Sequence, residues 1–493
     1  MYLDTILNDF IHIGWSQLST QEQDRAMRTA GLPESGRCTT LCSGSGMGEI
    51  CHHAVQTMLG GTFTLLSGCE QTTFKQSHLM CNVHPKIMEP DTESCLFDNI
   101  IGLHLGLGDC KYHEKKCKVK ENPFLLIAGY SCKNLSTLAP CVPGDKTKVL
   151  QSGTGSSGAT CLGVVKFMKA YRPKIVILEN VPEMAKSEDE SGNVKWLTKS
   201  LREIGYEMQT RVLVTSDYML PQKRARAWSI CLNLDAFQLK ADEAHDAIYK
   251  MFETVLKLRT PAMKLDKVLF EDRHPDVEAE LARRKLAYES EKANEALAHD
   301  ARSKGNDEGW IRKHQRFCED NGISWTRLRP SYEAGRSLCY KISCKRHQEI
   351  ISVAERLHGK KLVATDVNPS IERAAMMHDT EVLQTLVCAT KNFLMYTDMD
   401  DPSCQPRARY MLGKEALNLQ GFPLSMLSDP MVDDKGVVLS DAQCSDLAGN
   451  AFSSTACASV ILGVYANMPT LPPASSSSDS GDTSMQAIRN IFE

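Results

Sequence analysis

The sequence predicts an α/β protein with a doubly wound, mostly parallel sheet and a second, smaller domain. Short apolar runs that end in a glycine or a polar residue predict strands buried on both faces, as in residues 124–128 and 175–178. Stretches with helical periodicity stand between such runs, as in residues 49–59 and 161–171. Strands that alternate with helices in this way favour a parallel sheet with helices on both faces.

The composition is that of a soluble globular protein, with 493 residues of which 42% are hydrophobic and 24% charged. No uninterrupted apolar run reaches the roughly 18 residues that span a bilayer. Residues 1–13 contain no lysine or arginine, which argues against a signal peptide. We therefore expect an intracellular protein without a membrane partner, whose 19 cysteines are mostly free thiols. The net charge of −4 argues against binding polyanions over the whole surface, but local basic patches can still bind nucleic acid.

A glycine-rich turn follows the first predicted strand, residues 39–42, and precedes a predicted helix. Glycines let a ligand approach the backbone at such a turn, and Gly44, Gly46 and Gly48 supply them. Glu70 follows the next predicted strand, where an acidic residue typically accepts hydrogen bonds from a ribose. Together these features predict a cofactor that contains a nucleoside.

Reactive or charged side chains accompany three further predicted strands. Cys132 comes shortly after one strand, Glu179 ends the next, and Arg224 and Arg226 precede another. Ligands of open α/β sheets bind outside the carboxyl ends of the strands, so we expect these groups to meet the glycine turn at one rim. A buried structural cysteine is the alternative for Cys132 taken alone. The long loop of residues 133–158 is a candidate lid.

One short cluster of cysteines and a histidine raises the question of a metal. Cys110, His113 and Cys117 are residue types that bind zinc, but no second pair of ligands follows at a fitting distance. The sequence therefore predicts no metal site.

In their order along the chain, these motifs resemble those of the cytosine carbon-5 methyltransferase family. In that family a glycine turn binds S-adenosylmethionine, two acids contact its ribose and adenine, and a Gly-x-Pro-Cys turn carries the nucleophile. The matching stretches here are the glycine turn with Glu70 and Asp98, then residues 129–132, 179–181, 222–226, 415–423 and 449–451. The resemblance covers residues 39–233 and 409–467.

The resemblance implies a Rossmann-like class I methyltransferase fold and a role for each site residue. Cys132 would add to carbon 6 of cytosine, and Glu179 would hold the N3 and amino edge of the base. Arg224 and Arg226 would neutralise charge near the base and the thiolate. The implied cofactor is S-adenosylmethionine, and the implied partner is DNA with the target base flipped out. The implied cofactor-binding residues are Cys42, Gly44, Gly46, Gly48, Glu70, Asp98 and Asn450, and the implied substrate-binding residues include Asn180 and Gln222.

Three positions depart from the family pattern. Ser131 stands where a proline usually precedes the cysteine, so the rigidity of that turn is in question. Cys42 stands where an aromatic side chain usually packs on the cofactor, and Met47 replaces a second glycine. None of the three removes a group that performs chemistry.

The motifs and the changes in composition divide the chain into five predicted segments. The central segment has a charged insertion, residues 241–320, that predicts solvated helices, and the last combines prolines with a serine run. The segments are an N-terminal helical extension (1–37), a catalytic and cofactor-binding domain (38–235), a variable target-recognition region (236–405), a return segment that completes the catalytic domain (406–468) and a disordered tail (469–493).

Residues 321–350 of the variable region combine basic and aromatic side chains. Basic residues bind phosphates and read guanine edges, and aromatic residues stack on bases. We expect Arg327, Arg329, Lys345 and Arg346 to contact DNA, although a plain exposed patch is as good an interpretation of any one of them.

Two alternatives to a DNA methyltransferase stay open. The family includes a transfer-RNA branch with the same cysteine and glutamate, but its Cys-Phe-Thr signature is absent here, which favours DNA. A catalytically silent homologue that only binds nucleic acid is the other, and the intact Cys132, Glu179 and Arg226 argue against it. We expect an enzyme that methylates DNA at cytosine carbon 5 and acts in the nucleus.

Overall fold

The structure is a computed structural model that describes most of the chain. The described residues form one large sheet, one small sheet and an additional pair of two-residue strands, with helices around them. They are residues 5–89, 93–136, 148–186, 192–297, 307–324, 342, 344–379, 381–388, 390–395, 408–427, 436 and 438–472.

Nine strands form the central sheet. They are β1 (Arg37–Leu41), β2 (Thr64–Cys69), β3 (Cys95–Phe97), β4 (Leu107–Cys110), β5 (Lys115–Lys118), β6 (Leu125–Ala128), β7 (Ile175–Asn180), β8 (Tyr206–Val214) and, after the short β9 (Gln222–Lys223), β10 (Ala225–Asn233). Their order is β5-β4-β3-β2-β1-β6-β7-β10-β8. The five central strands, β3, β2, β1, β6 and β7, run parallel. At one edge β4 and β5 are added in antiparallel pairing, and at the other edge β10 and β8. This confirms the predicted α/β fold.

The central strands are apolar throughout because each face of the sheet packs against its own layer of helices. In β6, Leu125 and Ile127 belong to one core and Leu126 and Ala128 to the other, and none of the four is more than 2% exposed. The chain winds outward from β1 to β3 and then returns to β6, so the strand order reverses between β1 and β6. A reversal of this kind opens a crevice for a ligand at the carboxyl ends of the strands.

Helices cover both faces of the sheet. Helices α1, α3, α10 and α16 contribute to the core on one face, and α7 and α8 to the core on the other. The helices of the described residues are α1 (Thr5–Gln17), α2 (Thr20–Ala30), α3 (Met47–Met58), α4 (Thr73–His78), α5 (His84–Ile87), α6 (Val149–Ser152), α7 (Gly155–Tyr171), α8 (Asn193–Arg202), α9 (Leu234–Phe237), α10 (Ala241–Lys257), α11 (Pro275–Leu297), α12 (Asp307–Asp320), α13 (Lys345–His358), α14 (Gly413–Asn418), α15 (Asp441–Asn450) and α16 (Ser454–Asn467).

The main core includes helices from segments that the sequence analysis placed outside the catalytic domain. Phe10 of α1 and Ile248 and Phe252 of α10 share one core with Ile461 of α16. Within the charged stretch, α10 places apolar residues three and four positions apart, which gives it a buried stripe. The predicted divisions after residues 37 and 235 therefore do not separate one core from another.

The variable region has a small sheet and a core of its own. Its strands are β11 (Leu362–Asp366), β12 (Met376–His378), β14 (Asn392–Leu394) and β15 (Arg409–Tyr410), all antiparallel, in the order β12-β11-β14-β15. Ile350 and Val353 of α13 pack with Phe393 of β14 in a third core. The strand β13 (Leu383–Gln384) pairs with β9, which joins the variable region to the main domain.

Among the residues that the structure describes, one segment, Asp441–Asn467, is long and apolar enough by length and composition alone to cross a membrane. It comprises α15 and α16, and 94% of its most apolar window is buried inside the protein. The Tyr465 hydroxyl near its end forms hydrogen bonds with His52, Gln56 and Ser35. α16 is thus packed at the centre of the main core.

Candidate active site

Cys132 lies at the carboxyl end of β6, in the turn where the chain leaves the sheet. Its carbonyl accepts hydrogen bonds from the amides of Leu135 and Ser136, both at 2.9 Å, which closes the turn. Its side chain is half-buried and packs at the margin of the core that α7 and α8 cover. The structure therefore places Cys132 at the predicted rim and not in the interior of a core.

Hydrogen bonds from α7 stabilise the turn that lacks the usual proline. The Ser131 amide donates to Oγ1 of Thr160 at 3.1 Å, and the Ser131 hydroxyl accepts from the Ser156 hydroxyl at 2.8 Å. Asn134 and Ser157 each donate a backbone amide to the other's side-chain oxygen, at 3.0 and 3.1 Å. The sequence analysis missed these positioning residues, although a run of small hydroxylated residues at the end of the candidate lid was the available signal.

Glu179 and Arg226 form an ion pair next to this turn. The antiparallel strands β7 and β10 pair Glu179 with Trp228, which brings the start of β10 beside the end of β7. Nε of Arg226 lies 3.1 Å from Oε1 of Glu179, and the two side chains are 13% and 11% exposed. Because water is largely excluded, the attraction between the two charges is stronger than it would be on the surface.

The charged groups around Cys132 act on one another. Burial raises the pKa of Glu179, and the guanidinium groups of Arg226 and Arg224 oppose that rise. Burial also raises the pKa of the Cys132 thiol, Glu179 raises it further, and the same two arginines oppose the rise. The arginines are therefore the groups that favour the thiolate over the thiol.

Arg224 and Arg226 have different surroundings. Arg224 is buried, and its guanidinium donates to the carbonyls of Leu386 at 2.8 Å, Gly449 at 3.0 Å and Ala451 at 2.8 Å. Burial, with a smaller contribution from the neighbouring guanidinium, lowers the pKa of Arg224 to about 9. Its donors are directed at the protein backbone, so Arg224 is a positioning residue. Arg226 is the arginine that contacts the acid.

Two residues predicted to bind substrate use their side chains inside the protein. Asn180 donates from Nδ2 to the Tyr130 carbonyl at 2.9 Å, and so holds the backbone of the cysteine turn. Gln222 is fully buried and accepts a hydrogen bond from Nε2 of Gln420 at 3.1 Å. Both side chains form hydrogen bonds with other parts of the protein, and direct contact with a substrate stays a prediction for each.

The glycine turn lies at the carboxyl end of β1, the neighbour of β6. Gly44 and Gly46 have φ angles of 59° and 78°, in the left-handed region that favours glycine. The Gly44 amide donates to Oε2 of Glu70 at 2.9 Å. A Cβ atom at Gly48 would lie 3.0 Å from Cγ2 of Ile127, so this glycine lets α3 approach the sheet. The predicted glycine turn and its acidic partner are thus in contact.

Of three other predicted cofactor residues, Cys42 and Asn450 lie at this turn, and Asp98 follows β3, two strands away. Cys42 has a φ angle of 58°, and burial raises the pKa of its thiol to about 12. Asp98 follows β3, and its Oδ2 lies 3.5 Å from Nζ of Lys111. The backbone oxygen of Asn450 would be 3.8 Å from a Cβ at Gly44. The return segment therefore reaches the glycine turn through its backbone.

Phe452 lies between the two halves of the site and was missed by the sequence analysis. A Cβ atom added to Gly48 would lie 3.3 Å from the Phe452 ring, and a Cβ atom added to Gly129 would lie 2.6 Å from it. Its ring meets that of Trp228 edge-on at 5.5 Å, and it lines a small cavity together with Cys42. It supplies an aromatic ring close to the turn in which Cys42 replaces one. Its position directly after the final motif, residues 449–451, was the available signal.

Part of the candidate lid is helical. Residues 149–152 form α6, and α7 begins at Gly155, earlier than the predicted start at Cys161. Serines and glycines fill this stretch, and both are weak helix formers, so they masked the helix in the sequence. Residues 137–147 of the loop lie outside the described residues.

Of the four basic residues expected to contact DNA, the structure describes two. Lys345 is exposed at the start of α13. Arg346 donates to the Pro369 carbonyl at 2.8 Å, so it ties α13 to the loop after β11. Arg327 and Arg329 lie outside the described residues. The DNA contacts of all four stay predictions.

A family comparison covers most of the chain. Residues 95–457 match the family described as C-5 cytosine-specific DNA methylase. The match includes Cys132, Glu179, Arg226 and the return segment up to the first turn of α16. The glycine turn precedes the matched residues, and its assignment rests on its own geometry.

Two curated relatives are much longer than the region they share with this chain. The chain is 24% identical over 459 residues to DNA (cytosine-5-)-methyltransferase DMT5 of Cryptococcus neoformans var. grubii, which covers 86% of this chain and 17% of that protein. It is 30% identical over 118 residues to the type II methyltransferase M.HhaI of Haemophilus parahaemolyticus, which covers 23% of this chain and 33% of that enzyme.

Among solved structures, the S. pombe Dnmt2 methyltransferase aligns with 87% of this chain and 98% of its own, with 13% identity and a TM-score of 0.44. The family match extends over well more than half of the chain and includes the residues that meet at the rim of the sheet. The chain therefore belongs to the C-5 cytosine-specific DNA methylase family.

Proposed function

We propose that this chain transfers a methyl group from S-adenosylmethionine to carbon 5 of a flipped-out cytosine in DNA, through a covalent bond between Cys132 and the base. The observation that carries the proposal is that Cys132 meets the Glu179–Arg226 pair at the same rim as the glycine turn. The two halves adjoin because β1 and β6 are paired, with Leu41 opposite Ala128.

The glycine turn supports S-adenosylmethionine as the cofactor. Glu70 uses one carboxylate oxygen for the Gly44 amide and the other for the Thr72 amide, and each oxygen can accept a further hydrogen bond. Helix α3 begins at Met47 without a side-chain cap, so its first backbone amides can bind a polar ligand. When bound there, S-adenosylmethionine supplies an electrophilic methyl group.

Cys132 makes the ring carbon reactive. Carbon 5 of cytosine is a weak nucleophile, so the thiolate first adds to carbon 6 and leaves an electron pair on carbon 5. After carbon 5 has formed its bond to the methyl group, with the methyl–sulfur bond broken and S-adenosylhomocysteine left as the product, it loses its proton to water. The electrons of that C–H bond restore the ring double bond, and the bond between carbon 6 and sulfur breaks to release the Cys132 thiolate.

Glu179 and Arg226 manage the charge that this addition creates. Glu179 holds the N3 edge of the base, and its raised pKa suits a carboxyl group that shares a proton with N3 as the ring becomes electron-rich. Arg226 contacts Glu179 directly and also favours the thiolate of Cys132. Arg224 also favours the thiolate of Cys132, and its guanidinium holds the backbone of the return segment.

A base within a stacked duplex cannot reach this rim, so base flipping is part of the proposal. Lys345 on α13 is exposed and therefore available to a DNA phosphate. The nuclear location expected from the sequence also stays a proposal, since it follows from a DNA substrate.

The experiment that tests the proposal is the transfer of radiolabelled methyl groups from S-adenosylmethionine to duplex DNA and, separately, to transfer RNA. We expect labelled 5-methylcytosine in the DNA. Label in transfer RNA alone would reassign the substrate, and label in neither would support a binding protein.

Two cysteine variants make this assay specific. Cys132→Ala should lose all transfer while it still binds S-adenosylmethionine, because the sulfur acts on the base. Cys344→Ser should keep full transfer, since Cys344 is exposed and its side chain makes no capping hydrogen bond to α13. Transfer by Cys132→Ala would contradict the assignment of the nucleophile.

A further inference from the structure

Four side chains with metal-binding atoms converge at the edge of the central sheet, outside the active site. Cys95 lies on β3, Cys110 at the end of β4, His113 in the following turn and Cys117 on β5. Their ligand atoms all lie within 4.8 Å of one another. The sequence analysis considered only the last three, because Cys95 joins them through the antiparallel pairing of β3 with β4.

The distances between these atoms fit one tetrahedral ion. Nδ1 of His113 lies 3.3 Å from Sγ of Cys110, 3.4 Å from Sγ of Cys117 and 3.8 Å from Sγ of Cys95. Zinc bonds of about 2.3 Å to sulfur and about 2.0–2.1 Å to nitrogen, at tetrahedral angles, separate the two atoms by about 3.6 Å. The observed separations lie on both sides of that value.

We propose that Cys95, Cys110, His113 and Cys117 bind one Zn²⁺ in a closed structural site. A disulfide would consume only two of the three cysteines, and one imidazole nitrogen can accept a hydrogen bond from only one thiol at a time. A single metal ion satisfies all four groups together. Four protein ligands leave no open coordination position, which is typical of a structural and not a catalytic zinc site.

The surroundings of the cluster favour this assignment. Three thiolates, a neutral histidine and Zn²⁺ carry a net charge of −1, and basic residues flank the ligands in the sequence, namely Lys111, Lys115, Lys116 and Lys118. Cys95 and Cys110 are buried whereas His113 is exposed. Two ligands are therefore held by the core, and the ion can enter from the solvent side.

The hairpin also needs an anchor. β5 is the edge strand, pairs only with β4 and contains no buried residue, so the core holds it weakly. A zinc ion would fasten β5 and the turn to β3. The turn residue Tyr112 forms a hydrogen bond with His84, whose Nε2 lies 3.1 Å from Oε2 of Glu49 in α3. The same hairpin thus supports the helix behind the glycine turn.

The test is the metal content of the full-length chain, purified without chelators from zinc-containing medium and measured by mass spectrometry of the elements. We expect one zinc per chain, and almost none in Cys117→Ser and His113→Ala. The matched control Cys344→Ser, an exposed cysteine outside the cluster, should retain one zinc. Wild-type protein without zinc, or zinc retained by both ligand variants, would overturn the proposal.

A second measurement remains decisive even if a ligand variant fails to fold. Co²⁺ added to chelator-treated wild-type chain should produce the visible absorption of a tetrahedral site together with sulfur-to-cobalt charge-transfer bands. A cobalt spectrum without those bands, or a disulfide between two of the three cysteines in the intact mass, would contradict zinc thiolate ligation. Neither outcome depends on methyl transfer, so the site stands or falls independently of the proposed function.

Discussion

The chemistry proposed for Cys132 depends on opposing charges within a small, partly buried group. Glu179 raises the pKa of the thiol, while Arg226 and Arg224 lower it. Glu179 is therefore unfavourable for forming the thiolate but favourable for holding the base. This opposition separates the two roles experimentally.

Glu179→Gln should make the alkylation of Cys132 faster and methylation slower. Removing the negative charge lowers the pKa of Cys132, so alkylation of the free protein at a fixed pH near neutrality should become faster. Methylation should fall by roughly 100-fold, the usual effect of removing one group that stabilises transition-state charge. Mass spectrometry of the Cys132 peptide after iodoacetamide treatment gives the first rate, and single-turnover methylation gives the second.

The matched variant is Arg226→Gln, which removes a positive charge from the same ion pair. Its Cys132 should alkylate more slowly than in the wild type, since the group that favours the thiolate is lost. If both variants shifted the alkylation rate in the same direction, the electrostatic assignment would be wrong.

At the scale of elements, the end of β6 is positioned by segments that are distant in the sequence. Phe452, from the return segment, fills the space beside Gly129, and α7 holds the turn through hydrogen bonds to Ser131. The turn therefore gains its rigidity from tertiary contacts, where a family proline would provide it locally.

Gly129→Ala should destabilise the protein by about 1–3 kcal/mol, because the added methyl group overpacks the space that Phe452 occupies. In a Phe452→Ala background the same change should cost less, and urea denaturation of the four proteins measures the difference. The control is Gly309→Ala, where a Cβ would meet no atom within 4 Å. An equal cost in both backgrounds would show that Phe452 is not the constraint.

Local patterns were sufficient to predict the central parallel strands and the groups at their ends, but not the edge hairpin of β4 and β5 or the strands of the variable region. β6 and β7 are buried on both faces, so their apolar runs are continuous, and the glycine turn has its own signature. The contacts of Phe452 with Gly129 and of Cys95 with His113 depend on chain segments that meet only in the folded sheet. The buried stripe of α10 was hidden by the charged residues between its apolar positions.

At the scale of the whole molecule, Arg224 joins three segments. Its guanidinium donates to Leu386 in the variable region and to Gly449 and Ala451 in the return segment, while its backbone belongs to the main domain. One buried side chain therefore holds together parts of the chain that the sequence separates by more than a hundred residues.

Arg224→Met should lower the free energy of unfolding by about 2–3 kcal/mol, since hydrogen bonds from a charged donor are lost and buried carbonyls are left without a partner. Arg211→Met, on the exposed side of the edge strand β8, should change it by less than about 0.5 kcal/mol. Chemical denaturation followed by circular dichroism compares the two. Equal stability of both variants would remove the structural role assigned to Arg224.

The formation of a covalent bond between Cys132 and cytosine carbon 6 is tested most directly with duplex DNA that contains 5-fluorocytosine. Fluorine cannot leave as a proton does, so the bond to sulfur should persist after methyl transfer. With saturating S-adenosylmethionine, the wild-type chain should form a denaturation-resistant complex with DNA joined at Cys132, and Cys132→Ala should form none. If the wild-type chain methylates ordinary duplex DNA and yet leaves no adduct on the fluorinated duplex, the covalent mechanism is contradicted.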